Sequence, residues 1–380
     1  MTDRALTRIS ALTLFWSLLA TAFGLWWAVD TTAYPFGAND SRPGGGSLLA
    51  FVDVRVGAIV LLALGVLGVA AALSLRRGIG RAVVPWLGGL HAVLFGLCVP
   101  DMQVVILVGY LVALVGPIVL VVALVAGALR SLRSSLIVFG GLILIGLIGW
   151  WSGILDGTAF SALVNAGVAP ENQLSARPLY MVFFLAGGLA WGWAAVVAFR
   201  TRKDRCGSCG RQGAAWTEPA EAARWGRVVT IAAALCPLPY GLLRMTWLTP
   251  VAVLGPEDVS SEPGIRLMGL LLGFAAIGGS VLTLGLIQRW GEIWPRWVPV
   301  LRGRPVPLAF PVVFGSLIAA VMAFAGVSFG ITAFSGPDPR PLLLLVFPFP
   351  LWAPLLAAAV LAHYYRRRPA CRHCAVAAGR

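Results

Sequence analysis

The chain has 380 residues, 59% of them hydrophobic, and a mean hydropathy of +0.88. Only 12% of the residues are charged, about half the roughly 25% that soluble domains carry. This composition excludes a soluble globular protein, a disordered chain and a collagen-like fibre. The formal net charge of +14 would suggest a nucleic-acid partner for a soluble protein, so the positions of the charges decide what it means.

Ten apolar segments follow one another along the chain, each close to the length that a bilayer requires. A hydrocarbon core of roughly 30 Å takes about 20 helical residues. The sequence therefore predicts an all-α, polytopic membrane helix bundle that forms a single domain over residues 1–380. The predicted spans are 9–29, 55–75, 82–99, 103–127, 135–155, 178–199, 228–248, 266–287, 307–335 and 341–363.

The charges predict how the chain is threaded. With the N-terminus inside, the inner connections hold 23 of the 29 Lys and Arg residues but only five of the 15 acids, which gives +18 inside and −4 outside. The positive-inside rule then places the bundle in the cytoplasmic (inner) membrane with both termini cytoplasmic. Residues 20–22 resemble a signal-peptide cleavage site, but the apolar run continues to Trp27. That run is longer than a usual signal segment, so we expect a retained first helix.

Two parts of the chain show a weak internal similarity. The segments that start at Arg55 and Arg266 align without gaps and place Gly68 on Gly279. This pattern suggests that helices 1–4 and 7–10 are parallel repeats and that helices 5 and 6 form an additional hairpin. Internal repeats are common in transporters.

Four of the six cysteines form two CxxC pairs. One pair lies in the predicted cytoplasmic loop 200–227 and the other in the predicted cytoplasmic tail 364–380. Two CxxC turns supply the four thiolates of a closed, structural zinc site, which would join the loop to the tail as a zinc clasp. His373 could replace one cysteine, and reduced dithiols or a thiol redox switch are the alternatives. The predicted zinc ligands are Cys206, Cys209, Cys371 and Cys374.

Three ionisable residues are candidates for ligand binding or for an ion pair: Arg244, His91 and Asp101. Arg244 lies about one turn inside the outer end of the seventh span, and His91 lies in the middle of the third. An ionisable group at membrane depth is a functional candidate that should have a partner. Asp101 is a suitable partner by depth, with Asp30 and Asp156 as other options. The alternatives are a structural ion pair or snorkelling for Arg244, and hydrogen-bonded packing for His91.

Arginines also begin several predicted helices at the outer side, where a cation opposes the helix dipole. Asp53 next to Arg55 and Glu262 before Arg266 offer local compensation. Lipid phosphates are a second compensation, and an outward vestibule for an anionic ligand is the functional alternative.

The predicted cytoplasmic loop 289–304 alternates tryptophan with arginine. Tryptophan prefers the headgroup level of a bilayer, and arginine pairs with anionic lipid. We therefore expect an interfacial elbow that contacts anionic lipids at the cytoplasmic face. Binding of nucleic acid is not expected, because no recognisable binding module accompanies the loop. The residues of the elbow are Arg289, Trp290, Trp294, Arg296 and Trp297.

The stretches 289–307 and 239–247, together with the use of arginine in place of lysine, resemble uncharacterised multi-pass membrane proteins of high-GC actinobacteria. The resemblance covers mainly helices 7–9 and implies no activity, cofactor or residue role.

Two functions are consistent with these features. The first is permease-like handling of a small molecule, an anion being one option, through Arg244, His91 and Asp101. The second is a non-catalytic scaffold or regulator whose zinc-stabilised basic face docks a cytoplasmic protein partner. The only lysine, Lys203, is not part of a Walker A motif, and there is no HExxH motif. The sequence therefore gives no support for an enzyme, and a lipid-modifying enzyme ranks last.

Overall fold

Helices account for most of the chain in the computed structural model, which describes residues 3–39, 48–79, 82–100, 102–129, 132–153, 161, 176–202, 215–249, 253, 263–295, 298, 301–334 and 341–369. The α-helices of these ranges are α1 (Asp3–Val29), α2 (Val54–Arg76), α3 (Val84–Val93), α4 (Met102–Ala128), α5 (Leu132–Trp151), α6 (Ala176–Arg202), α7 (Pro219–Leu235), α8 (Leu238–Met245), α9 (Pro263–Leu284), α10 (Ala309–Phe334), α11 (Leu343–Val346) and α12 (Phe349–Arg367). A π-helical turn, Leu94–Cys98, extends α3.

Seven helical stretches among the described residues are long and apolar enough to cross a membrane: Thr7–Val29, Val54–Arg76, Leu179–Arg200, Pro219–Leu248, Gly264–Leu284, Ala309–Ile331 and Leu343–Arg367. This confirms the prediction of an all-α chain with several candidate membrane spans. The other three predicted spans contain shorter apolar helical stretches, Val84–Cys98, Leu114–Ala126 and Ser135–Trp151. A total of ten spans and the internal repeat stay predictions.

The ends of α2 follow from local sequence. The carboxylate of Asp53 accepts the backbone N–H groups of Arg55 (2.9 Å) and Val56 (3.3 Å), which caps the start of the helix. The helix ends at Arg76, and Gly78, two residues later, has a φ of +75° in the left-handed region. From there the N–H groups of Gly78 and Ile79 return to carbonyls of the last turn, which is a Schellman ending.

Prolines interrupt two of the predicted spans. The predicted span 228–248 corresponds to α7 and α8, which are separated at Pro237, and the predicted span 341–363 corresponds to α11 and α12, which are separated at Pro348. Proline cannot donate the backbone hydrogen bond of a continuing helix, which is consistent with breaks at these positions, although Pro117 and Pro354 lie inside continuous helices. Helix α7 also begins at Pro219, well before the predicted start at residue 228. Its first turns contain charged residues, so a search for apolar segments did not include them.

Helices α1, α2, α3 and α6 pack into one group around a shared apolar core. Glycines allow the helices to approach closely. A Cβ atom at Gly65 would lie 2.6 Å from the Thr21 nitrogen, and one at Gly188 would lie 2.4 Å from the nitrogen of Gly96 in the π-helical turn. These contacts fix α2 against α1, and α6 against the end of α3.

Helices α7, α9, α10 and α12 form a second group. Its core is small and contains Ala233, Leu286, Ala319, Leu356, Ala359 and Val360. Helix α4 contacts both groups, through α6 on one side and through α9 and α10 on the other. The π-helical turn also contacts α10, so the end of α3 lies where the two groups meet.

Candidate functional site

Three consecutive arginines at the end of α12, Arg366 to Arg368, connect separate segments of the chain, and we call them the arginine brace. Each guanidinium donates a hydrogen bond to the backbone carbonyl of a different segment. The acceptors are Leu286 after α9 for Arg366 (2.8 Å), Val306 before α10 for Arg367 (3.3 Å) and Thr217 before α7 for Arg368 (3.0 Å). We call the end of the bundle that contains the brace the basic end.

Further contacts surround the brace. Arg366 forms an ion pair with Glu292 at 2.6 Å. Arg368 is only 9% exposed, and its guanidinium carbon lies 4.5 Å from the centre of the Tyr365 ring. Trp216 packs edge-on against the same ring at 5.2 Å. A run of arginines that the sequence explains as a threading signal therefore also holds three connections together.

The predicted elbow folds back on itself at the basic end. An isolated bridge pairs Ile293 with Pro305, and the Trp294 N–H donates to the Arg304 carbonyl at 3.0 Å. The turn uses Gly303, whose φ of +71° lies in the left-handed region. The Trp294 ring also packs 5.5 Å from that of Phe310 at the start of α10.

Of the elbow residues, Arg289 is exposed, whereas Trp290 and Trp294 are half-buried. Arg296 and Trp297 lie outside the described residues. Contact of this loop with anionic lipid stays a prediction.

The four cysteines of the predicted zinc clasp, Cys206, Cys209, Cys371 and Cys374, lie outside the described residues. The part of the chain that is described contains no group of three or more His, Cys, Asp or Glu side chains able to hold a metal. The residues bordering the two cysteine-bearing segments are nevertheless joined, since Arg368 binds the Thr217 carbonyl at 3.0 Å. Cys209 precedes Thr217 by eight residues and Cys371 follows Arg368 by three, so each pair is attached within a short length of chain to one point.

His91 is fully buried in the first helix group. Its Nδ1 lies 2.8 Å from the Leu87 carbonyl oxygen, and its Nε2 lies 3.1 Å from the Leu64 carbonyl oxygen. The ring packs 4.9 Å from that of Trp191 and 6.3 Å from that of Trp16. These contacts support the alternative of hydrogen-bonded packing, because a neutral His91 ring donates its one N–H to one of the two backbone carbonyls and packs against aromatic rings.

Arg244 lies in a different place. Its guanidinium carbon is 3.8 Å from the centre of the Trp247 ring and 5.1 Å from that of Tyr240, and its Cβ faces Gly273 of α9. The partners described for Arg244 belong to α8, α9 and the turn after α8, whereas those of His91 belong to α1, α2, α3 and α6. The described contacts therefore do not bring the two candidates together, and Asp101 lies outside the described residues.

Arg266 has a structural role that the sequence did not reveal. It is only 9% exposed, and its Nε and Nη2 donate to the Trp247 carbonyl at 3.3 and 3.0 Å. Its Nη1 reaches the Ser152 carbonyl beyond the end of α5 at 3.4 Å. Glu262, the expected partner, lies outside the described residues. Trp247 thus has one guanidinium over its ring and another on its carbonyl.

A groove of about 1040 Å³ lies between the two helix groups. Its walls are mostly small and apolar side chains of α6, α10 and α12, with Leu97 from the π-helical turn. The lining residues of α10 extend from Val312 to Val327, which corresponds to about 22 Å of helix. Arg200, near the end of α6, and Tyr364, near the end of α12, are among its few polar lining residues, and both lie towards the basic end.

No protein-family model, curated protein or solved structure matches the chain. The fold therefore defines only a general class, that of an all-α protein with seven candidate membrane spans among its described residues. The resemblance to actinobacterial membrane proteins stays a prediction.

Proposed function

We propose that the protein is a non-catalytic scaffold of the cytoplasmic membrane, with its basic end in the cytoplasm, where it docks a protein partner. We further propose that Cys206, Cys209, Cys371 and Cys374 bind one structural zinc ion. The observation that carries the proposal is the hydrogen bond from Arg368 to the Thr217 carbonyl, because these two residues border the segments on which the cysteines lie.

Zinc suits this set of donors. Four thiolates form a closed tetrahedral site with no open position for a substrate, which is the arrangement of structural rather than catalytic zinc. Arg205, Arg211 and Arg372 flank the cysteines, and cationic neighbours favour the thiolate form. Zinc would turn a loop and a tail, too short to bury a core of their own, into one defined surface next to the arginine brace.

The contacts of the proposed transport residues favour a scaffold over a permease. Both ring nitrogens of His91 face backbone carbonyls inside one helix group, and the guanidinium of Arg244 lies over aromatic rings beside the other. A binding site for a small anion would need such side chains to converge on one space.

The proposal is tested by isolating the full chain from its native membrane and measuring both its metal content and its bound proteins. Wild type should carry one zinc per chain and retain a partner in fixed proportion. Cys371→Ser should lose both, whereas Cys98→Ser, a change to a free cysteine inside the bundle, should keep both. A partner retained equally by wild type and Cys371→Ser would reject the zinc-dependent scaffold.

The groove between the helix groups favours a second candidate, permease-like handling of an amphipathic anion. Its apolar walls suit a hydrocarbon chain, and Arg200 supplies a positive charge towards the basic end. Phosphatidylglycerol should then bind the purified chain more tightly than phosphatidylcholine, as measured by native mass spectrometry. Arg200→Met should abolish that preference and Arg302→Met, a change to an exposed arginine, should not. Equal binding of both lipids by wild type would reject this candidate.

A further inference from the structure

A small cavity lies beside the arginine brace, between α7, the segment after α9 and α12. Its volume is about 50 Å³. Most of its lining is small or apolar, and four polar side chains also line it: Thr230 and Arg227 of α7, and His363 and Arg366 of α12. This cavity has no role in the proposed scaffold function or in the proposed binding of a lipid in the groove.

Thr230 is fully buried, and its hydroxyl differs from those of other helical threonines. The hydroxyls of Thr13, Thr21 and Thr283 each donate to the carbonyl four residues earlier, at 3.0, 2.8 and 2.8 Å. That is the usual way in which a helix satisfies a buried threonine. The Thr230 oxygen has no hydrogen-bond partner in the described structure. Its hydroxyl is therefore left to bond with whatever occupies the cavity, because a buried polar group without a partner is costly.

His363 presents a second unpaired polar atom. The side chain is only 2% exposed, and its Nδ1 lies 2.8 Å from the Leu286 carbonyl oxygen. A carbonyl can only accept, so Nδ1 carries the hydrogen. The other nitrogen, Nε2, has no partner among the described residues. It is a bare lone pair when the ring is neutral and an N–H donor when the ring is protonated.

The charges around the cavity favour an anion. Arg227 and Arg366 line it, Arg367 follows on α12, and Glu292 is paired with Arg366 at 2.6 Å. These groups leave a surplus of positive charge, which disfavours a metal cation on the Nε2 lone pair. An anion needs a hydrogen-bond donor, and because Nδ1 already donates to Leu286, His363 can donate to an anion only when Nε2 also carries a hydrogen. The cavity volume of about 50 Å³ leaves room for a small occupant, since a cavity needs only about 10–15 Å³ to hold one water molecule.

We propose that this cavity binds one small inorganic anion of the size of chloride, together with one proton. The anion accepts hydrogen bonds from the Thr230 hydroxyl and from the Nε2–H of protonated His363, while Arg227 and Arg366 supply positive charge. The proton comes from solvent and resides on Nε2, so the anion and proton enter as an electrically neutral pair. Arg366 and Nδ1 of His363 both donate to the Leu286 carbonyl. Binding of the anion to His363 therefore involves a carbonyl that the arginine brace also uses.

The probe for this site is chloride, with gluconate as the replacement anion at constant ionic strength. Chloride binding to the purified full chain is followed by ³⁵Cl NMR line broadening and by thermal unfolding. Wild type should bind chloride, and its dissociation constant should rise about tenfold for each pH unit above the pKa of His363, because one proton binds with each anion.

Thr230→Val keeps the shape of the side chain and removes the hydroxyl, so it should weaken chloride binding at least tenfold. His363→Asn should do the same, because its amide can still donate to Leu286 but presents nothing in place of Nε2. Thr283→Val, a matched change to a hydroxyl bonded within its own helix, should bind chloride as wild type does. If His363→Asn fails to fold, Thr230→Val and the pH series of wild type still test whether chloride binds in this cavity together with a proton.

The proposal is overturned if chloride causes no broadening and no thermal shift, which would mean that the cavity holds water only. It is also overturned if Thr230→Val binds as tightly as wild type, or if the affinity does not change with pH.

Discussion

Replacing Arg368 by methionine tests the arginine brace at its most buried member. Methionine keeps a long apolar side chain but removes the hydrogen bond to the Thr217 carbonyl (3.0 Å) and the contact with the Tyr365 ring (4.5 Å). The neighbouring hydrogen bond from the Trp225 indole to the Trp216 carbonyl (3.0 Å) stays in place. The substitution therefore removes the hydrogen bond between α12 and the segment before α7, while the contact of Trp216 with the Tyr365 ring stays in place.

The expected loss follows from these two contacts. A hydrogen bond from a charged group contributes about 1.5–3 kcal/mol, and a cation–π contact contributes roughly 0.5–2 kcal/mol. Part of this sum is offset, because methionine avoids the cost of burying a guanidinium. We therefore expect Arg368→Met to lower the free energy of unfolding by about 2–3 kcal/mol, whereas a change to an exposed side chain usually stays within about 0.5 kcal/mol.

The assay is unfolding in mixed micelles of mild detergent and dodecyl sulfate, followed by tryptophan fluorescence. Arg302→Met is the matched control, because Arg302 is exposed. A difference between the two variants below about 0.5 kcal/mol would refute the reasoning that Arg368 holds the basic end together.

Three further predictions use the same assay. Gly187→Ala should cost about 1–3 kcal/mol, because its Cβ would lie 1.9 Å from the Trp16 ring, whereas Gly278→Ala, with open space around it, should not destabilise. Burial raises the pKa of Tyr34 from 10.0 to about 12. Between pH 10 and 12 the unfolded phenol ionises and the folded one does not, so wild type should lose on the order of 2–3 kcal/mol of stability that Tyr34→Phe keeps. Gly303→Ala should cost about 1–2 kcal/mol because of its positive φ, and Gly303→Asn should cost less; equal costs would contradict that explanation.

Hydropathy was sufficient to locate the helices, because a stretch of apolar residues has few alternatives to a helix in a bilayer. The interruptions at Pro237 and Pro348 were not predicted, because proline does not always end a helix: Pro117 and Pro354 lie inside α4 and α12. The early start of α7 at Pro219 was not predicted, because its first turns are polar and hydropathy detects only apolar segments. A proline at the first helical position was the signal that could have revealed this start.

The roles of individual arginines could not be predicted. Arg266, Arg366 and Arg368 bind carbonyl oxygens that lie up to 151 residues away in sequence, and a backbone carbonyl gives no sequence signal of its own. Asp53 was recognised from the sequence only as a negative charge near Arg55, and the structure adds that its carboxylate caps the helix through backbone N–H groups two and three residues away. Candidate residues such as His91 and Arg244 could be recognised by depth, but depth alone does not say which of them share a site.

Zinc-edge X-ray absorption on the purified full chain, combined with metal analysis, tests the proposed clasp most directly. We predict one zinc per chain with four sulfur ligands at about 2.3 Å, and loss of that zinc in Cys371→Ser but not in Cys236→Ser, which changes a buried cysteine of the bundle. The clasp would be contradicted if wild type purified without chelators contained no zinc. It would also be contradicted if Cys371→Ser kept its zinc fully bound.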